Sequence, residues 1–124
     1  MQSSRILIVD DERVIADSLA AIFENQGYAA RAAYSAEQAL EIVAQWPPRL
    51  AILDVILPGM SGIDLAILIK SSYPDVAVML ISGQLATTEL AESAAQLGHQ
   101  LTIHAKPIPI PDLLANVSQL LAAQ

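Results

Sequence analysis

The stretch Leu50-Ala51-Ile52-Leu53-Asp54, continued at once by Val55-Ile56-Leu57-Pro58-Gly59-Met60-Ser61-Gly62, narrows the fold more than any other. An unbroken apolar run of this length reads as a strand covered on both faces, the habit of parallel sheets. Pro58-Gly59 and Gly62 break the pattern and predict a loop. Asp54 then stands at the carboxyl end of a buried strand, where open parallel sheets place their ligands. An aspartate in that position can also be a solvated strand end or a helix cap, and the remainder of the chain has to discriminate.

Arg5-Ile6-Leu7-Ile8-Val9 predicts a first strand that delivers Asp10-Asp11-Glu12 to its C-terminal end. Ile15, Leu19, Ile22 and Phe23 recur at helical spacing over residues 12–26, and Gly27 is a natural stop. Residues 28–33 suit a short second strand. Ser35 with Gln38 three positions on has the form of a capping box, opening a second helix to about Gln45 before Trp46-Pro47-Pro48 ends it. After the central strand, a third helix is predicted over 62–72, closed by Tyr73-Pro74-Asp75. Residues 76–81 form a fourth buried strand running into Ser82-Gly83. A fourth helix is expected over 88–97, stopped by Gly98, and a fifth strand over 101–105, less hydrophobic and so suited to a sheet edge, ending on Lys106-Pro107. Pro109 and Pro111 lead into a last helix over 112–122. Strands alternating with helices imply an α/β fold, a parallel sheet with helices on both faces joined by right-handed crossovers.

The polar residues fall where such a sheet gathers its strand ends: Asp10 and Asp11 after the first strand, Asp54 after the third, Ser82 after the fourth, Lys106 after the fifth. Carboxylates crowded together disfavour one another's charge. A divalent cation resolves the conflict, and an all-oxygen donor set suits Mg²⁺. Lys106 brings a point positive charge for a phosphoryl oxygen, and Ser82 a hydroxyl donor. Together they compose a phosphoryl-transfer site with Asp54 as nucleophile. Taken singly, Asp10-Asp11 could cap a helix, Ser82 could be a turn residue and Lys106 a solvated charge; their joint placement at four strand ends is what favours chemistry.

A chain of 124 residues suits one domain, 1–124. No apolar run approaches the ~20 residues that span a bilayer. The N-terminus lacks a signal-peptide layout, so a cytoplasmic location is expected. A net charge of −7 with only six basic residues argues against direct nucleic-acid contact.

The same residues resemble the receiver domain of two-component response regulators. Val9-Asp10-Asp11-Glu12 resembles its acidic pair, Asp54 with Leu57-Pro58-Gly59-Met60-Ser61-Gly62 its phosphoacceptor loop, Leu80-Ile81-Ser82-Gly83 its Ser/Thr switch strand, and Lys106-Pro107 its lysine and following proline. The resemblance covers essentially the whole chain. It implies a flavodoxin-like (βα)5 fold of strand order 2-1-3-4-5. It further implies that Asp54 accepts a phosphoryl group from a histidine kinase or phosphotransfer protein, and that Asp10, Asp11, Asp54 and the backbone carbonyl of Ile56 hold Mg²⁺. Ser82 and Lys106 would contact the acyl phosphate, and the Lys106-Pro107 bond would be cis. A downstream effector, or a second copy, would meet the face made by the fourth helix, fifth strand and last helix, where residues 107–124 carry a single charge, Asp112. Such a domain is a signalling phosphoacceptor that catalyses only its own phosphoryl transfer and slow dephosphorylation.

The sequence departs from the family pattern in three places. Ile103 stands where the family has a switch aromatic, so a packing shift of the fifth strand and fourth helix is the expected read-out. The interval from Ser82 to Lys106 is slightly long. Ile56, two beyond Asp54, is apolar and cannot position an attacking water. Other classes are weaker: a phosphohydrolase needs an acid where Ile56 stands, a flavin binder needs a Ser/Thr-rich phosphate loop after the first strand, and a docking module that keeps only the fold has no use for Asp54, Lys106 and the acidic pair. His99 and His104 lack ligand spacing and suit structural roles.

Overall fold

The computed structural model describes residues 4–83 and 102–122. Its elements run β1 (Arg5–Val9), α1 (Arg13–Asn25), β2 (Ala29–Ala33), α2 (Ala36–Gln45), β3 (Leu50–Asp54), α3 (Gly62–Ser72), β4 (Ala77–Ser82), β5 (Thr102–Ala105) and α4 (Ile110–Ala122). The strands form one parallel sheet ordered β2-β1-β3-β4-β5, the flavodoxin-like order. The less hydrophobic β5 lies at an edge, as its composition predicts. The helix expected over 88–97, with Gly98 and His99, falls outside the described residues.

Alternation along each strand divides the core in two. Leu7 and Val9 of β1, Ala51 and Leu53 of β3 and Leu80 of β4 pack with α2 and α3 through Ala39, Val43, Leu65, Ala66 and Ile69. Ile6, Ile8, Leu50, Ile52, Met79 and Ile81 point the other way and meet Ala16 and Phe23 of α1 and Leu113 and Val117 of α4. Every residue of β3 is buried, which explains its unbroken apolar run.

Local signals set the helix ends. Ser35 caps α2, its hydroxyl accepting from the Gln38 amide at 3.1 Å; Gln38 reaches back to the amide of Tyr34 at 2.8 Å, one residue short of a standard capping box. Ser61 caps α3 in the same manner, accepting from the Asp64 amide at 3.1 Å. Gly27 adopts a positive φ of 97° just past α1. The last helix begins at Ile110 and not at Asp112, because Pro111 falls in its first turn, where a missing amide hydrogen costs nothing. Ser82 belongs to β4, paired with Ala105.

Register positions the strand ends. Val9 pairs with Leu53, so Asp10 and Asp54 emerge side by side, while Asp54 pairs with Ile81 across the other edge of β3.

Candidate phosphoryl-transfer site

The three acids predicted at the strand ends converge. One carboxylate oxygen from each of Asp10, Asp11 and Asp54 lies within 4.8 Å of the other two. Asp10 is fully buried and Asp54 is 6% exposed, whereas Asp11 faces solvent. Asp10 Oδ1 accepts the amide of Glu12 at 2.9 Å, and Asp54 Oδ1 accepts the amide of Ile56 at 3.2 Å. Each carboxylate is thus oriented by backbone two residues downstream, the geometry of an Asx turn.

Lys106 joins them. Its Nζ donates to Asp10 Oδ2 at 2.8 Å and to Asp54 Oδ2 at 3.1 Å. The lysine backbone is anchored by its own amide, which donates to the Ser82 carbonyl at 2.8 Å, and the Lys106-Pro107 bond is cis. Ser82 is 1% exposed, one step beyond the Asp54–Ile81 pair; Gly83 is the residue of that strand end that lines the cleft. With it, Asp11, Glu12, Asp54, Ile56 and Lys106 enclose an open cleft of about 250 Å³.

The electrostatics follow from this packing. Burial pushes the Asp54 carboxyl above its ordinary 3.8; Lys106 and the Ile56 amide pull the other way, and the Asp10 charge adds to the rise. Burial also works against the Lys106 ammonium, yet its hydrogen bonds to Asp10 and Asp54 prevail and hold it above its ordinary 10.5. Lys106 is therefore a standing cation at neutral pH. Three carboxylates brought this close together, two of them lining an open cleft, fit a hard cation that takes oxygen ligands and keeps waters, which is the chemistry of Mg²⁺.

Two contributors escape a reading of the sequence by residue type. Glycine at 62 is required by a close approach: its amide donates to the Val55 carbonyl at 2.7 Å, and a Cβ there would run into the Asp54 carbonyl oxygen and come within 2.8 Å of the Val55 Cα. The start of α3 thereby presses on the backbone that carries Asp54. The second contributor is the pair of amides at Glu12 and Ile56, which no side-chain motif announces.

Ile103 is half-buried against the cluster that contains Leu80. His104 pairs in register with Ile81. A second depression, about 380 Å³ and almost wholly apolar, shares Lys106 with the cleft and is lined by Ile15, Leu19, Ile81, Pro107, Ile108 and Leu113. Val14 and Ile56 are 80% and 50% exposed.

Residues 6–118 match the family model of the response regulator receiver domain. The nitrogen assimilation regulatory protein NtrX of Azorhizobium caulinodans is 42% identical over 95 residues, covering 75% of this chain and 21% of that protein. Sporulation initiation phosphotransferase F of Bacillus subtilis is 33% identical over 123 residues, covering 98% of this chain and 96% of that protein. The chain spans only part of several relatives, 21% of that NtrX and 50% of the response regulator MprA of Mycobacterium ulcerans. Among solved structures, a CheY-like receiver domain protein from Methanospirillum hungatei is similar at a TM-score of 0.90 and 30% identity, covering 98% of this chain and 96% of that one. The receiver domain of NtrX from Brucella abortus gives 0.84 and 34%, covering 96% and 99%.

Proposed function

The chain belongs to the response regulator receiver domain family, and from that premise we propose that it is a phosphoryl-accepting switch whose acceptor is Asp54. The observation that carries the reading is the single ammonium of Lys106 bridging the buried Asp10 and Asp54 beside an open cleft. In the proposed reaction an Asp54 carboxylate oxygen attacks the phosphorus of a phosphohistidine on a kinase or phosphotransfer protein. The new O–P bond forms as the N–P bond breaks, leaving an acyl phosphate on Asp54 and a neutral histidine on the donor after proton uptake.

Asp10, Asp11, Asp54 and the Ile56 carbonyl would hold Mg²⁺, which when bound supplies positive charge against the phosphoryl oxygens. Lys106 would exchange its carboxylate partners for a phosphoryl oxygen, and Ser82 would turn its hydroxyl to another. Ile56 offers no group to orient water, so hydrolysis of the acyl phosphate proceeds without side-chain help from that position. With Ile103 packed against the Leu80 cluster, the change would spread as a repacking of β5 and not as the rotation of an aromatic ring.

The donor is read as a protein because apolar surface adjoins the cleft: Ile56, half exposed in its lining, and the groove beside Lys106. The effector, or a second copy, would use the face that includes β5 and α4, where Ile110 is 37% exposed. Direct nucleic-acid contact is not part of the reading: Arg5 and Arg31 lie over Trp46 and Arg13 over Tyr34, so three of the six basic side chains are engaged on aromatic faces. Among the described residues no helix is long and apolar enough to cross a membrane. Residues 1–124 are read as one receiver domain of a cytoplasmic protein that turns over no external substrate.

Beryllofluoride tests the assignment, because it adds to a carboxylate in place of the phosphoryl group. Fluorine NMR should show a bound species that requires Mg²⁺ and disappears in Asp54→Asn. A bound species that survives in Asp54→Asn would move the acceptor elsewhere.

A further inference from the structure

Resting on the reading that Asp10, Asp11 and Asp54 hold a divalent cation, we infer that Tyr34 is a positioning residue for that site: it clamps the first turn of α1 and so fixes Asp11. Asp11 is the exposed member of the three, and among the described residues no hydrogen bond orients its carboxylate. Its place is set by the backbone on either side of it, from Asp10 to the start of α1 at Arg13. That start is poorly secured by its own sequence. Glu12 at the N-cap makes no side-chain capping bond, the first turn carries no acid, and the helix opens on Arg13, a cation at its positive end.

Tyr34 supplies from another element what α1 lacks. The Arg13 guanidinium lies over its ring, 4.3 Å from the centroid, and its hydroxyl donates to Asp17 Oδ1 at 2.6 Å. Arg13 and Asp17 stand four apart on one face of the helix, so a single side chain grips both ends of the first turn. Tyr34 is itself held. Its amide donates to Gln38 Oε1 at 2.8 Å, and Ser35 caps α2 directly after it. The preceding carbonyl, that of Ala33, accepts the Asp10 amide at 3.1 Å. Ala33-Tyr34 therefore holds the chain on both sides of Asp11: Asp10 through backbone, Arg13 and Asp17 through the tyrosine side chain. A metal ligand on an exposed turn loses freedom when it binds. A clamp that has already removed part of that freedom strengthens binding without touching the ion.

The test is Mg²⁺ affinity, followed by calorimetry and by the Asp11 amide resonance, on the full chain without any phosphoryl donor. Tyr34→Ala should bind Mg²⁺ about tenfold more weakly than the wild type, the low end of what losing a supporting partner costs a metal site. Tyr34→Phe keeps the ring under Arg13 and drops the bond to Asp17, and should lose only about threefold. Val117→Ala thins the core at α4, outside the cleft lining; it should destabilise the fold yet bind Mg²⁺ as the wild type does. Wild-type affinity in a folded Tyr34→Ala, or an equal loss in Val117→Ala, would overturn the inference while leaving the metal site standing. A wild type that does not bind Mg²⁺, or undiminished binding by Asp11→Asn, would instead remove the metal-site reading and the inference with it. Should Tyr34→Ala not fold, Tyr34→Phe decides: weaker binding supports the clamp, and wild-type affinity overturns it.

Discussion

Asp10 and Asp54, 44 residues apart in the chain by their numbering, are held in the same way: Oδ1 on the amide two residues downstream, Oδ2 on the ammonium of Lys106. The parallel pairing of Val9 with Leu53 produces this equivalence, because Asp10, directly after β1, and Asp54, the last residue of β3, each follow a member of that pair. The lysine comes from β5, beyond β4, and reaches back across the strand ends to both.

Removing the shared cation leaves two buried carboxylates without a counter-charge. Lys106→Met in EDTA should lose about 2 kcal/mol of unfolding free energy, below the ~3–5 typical of a broken buried pair because the ammonium is partly solvated. Urea denaturation at pH 7 checks this, and an unchanged midpoint would mean that the bridge contributes nothing to the empty protein.

Gly62→Ala places a methyl group where the Asp54 carbonyl already stands. We expect a loss of about 2 kcal/mol as the start of α3 moves away, with displaced amide resonances at Asp54 and Val55. Gly83→Ala is the matched control: its Cβ would meet only the Lys106 Cβ at 3.9 Å, an ordinary contact, and stability should stay within about 0.5 kcal/mol. Equal costs for the two would refute the close-approach explanation.

Tyr34 donates its hydroxyl to Asp17 Oδ1 at 2.6 Å while Arg13 lies over its ring at 4.3 Å. The hydrogen bond to Asp17 raises the phenol above its ordinary 10.0, with small further rises from burial and from the Asp17 charge that the Arg13 charge opposes. A raised folded value means that the contribution is fully present below pH ~10 and is lost as pH rises through the folded value. Tyr34→Phe should therefore be less stable than the wild type at pH 8, with the gap closing above pH ~10. A gap independent of pH would show that the hydrogen bond is not its source.

Ile56→Asn introduces a group able to orient water beside Asp54. Its acyl phosphate should hydrolyse roughly tenfold faster than that of the wild type, short of the 10²–10⁴ of a full general base. Decay of the modified mass over time gives both rates, and equal rates would end the idea that Ile56 prolongs the phosphorylated state.

Much of this was legible in the chain because parallel sheets make it so. The unbroken run of β3, the acids after β1 and the lysine after β5 each announce a strand end, and α/β connectivity sends all such ends to one edge. What could not be read depends on register and close packing. That Lys106 pairs with Asp10 as well as Asp54, and more closely, follows from how far its side chain reaches across β4. Gly62 signals a loop by composition, but the Asp54 carbonyl that forbids a Cβ there lies eight residues back in the numbering. Pro111 suggested a helix beginning after it, whereas a first turn tolerates proline and α4 starts at Ile110. Gln38 pointed to a capping box, and its side chain instead serves the amide of Tyr34.

The central claim, that Asp54 accepts a phosphoryl group with the help of Mg²⁺, is tested most directly by intact-mass spectrometry after incubation with acetyl phosphate. The account predicts a gain of one phosphoryl group in the wild type with Mg²⁺, and none in EDTA or in Asp54→Ala. An unmodified wild type, or an adduct that persists in Asp54→Ala, would contradict it.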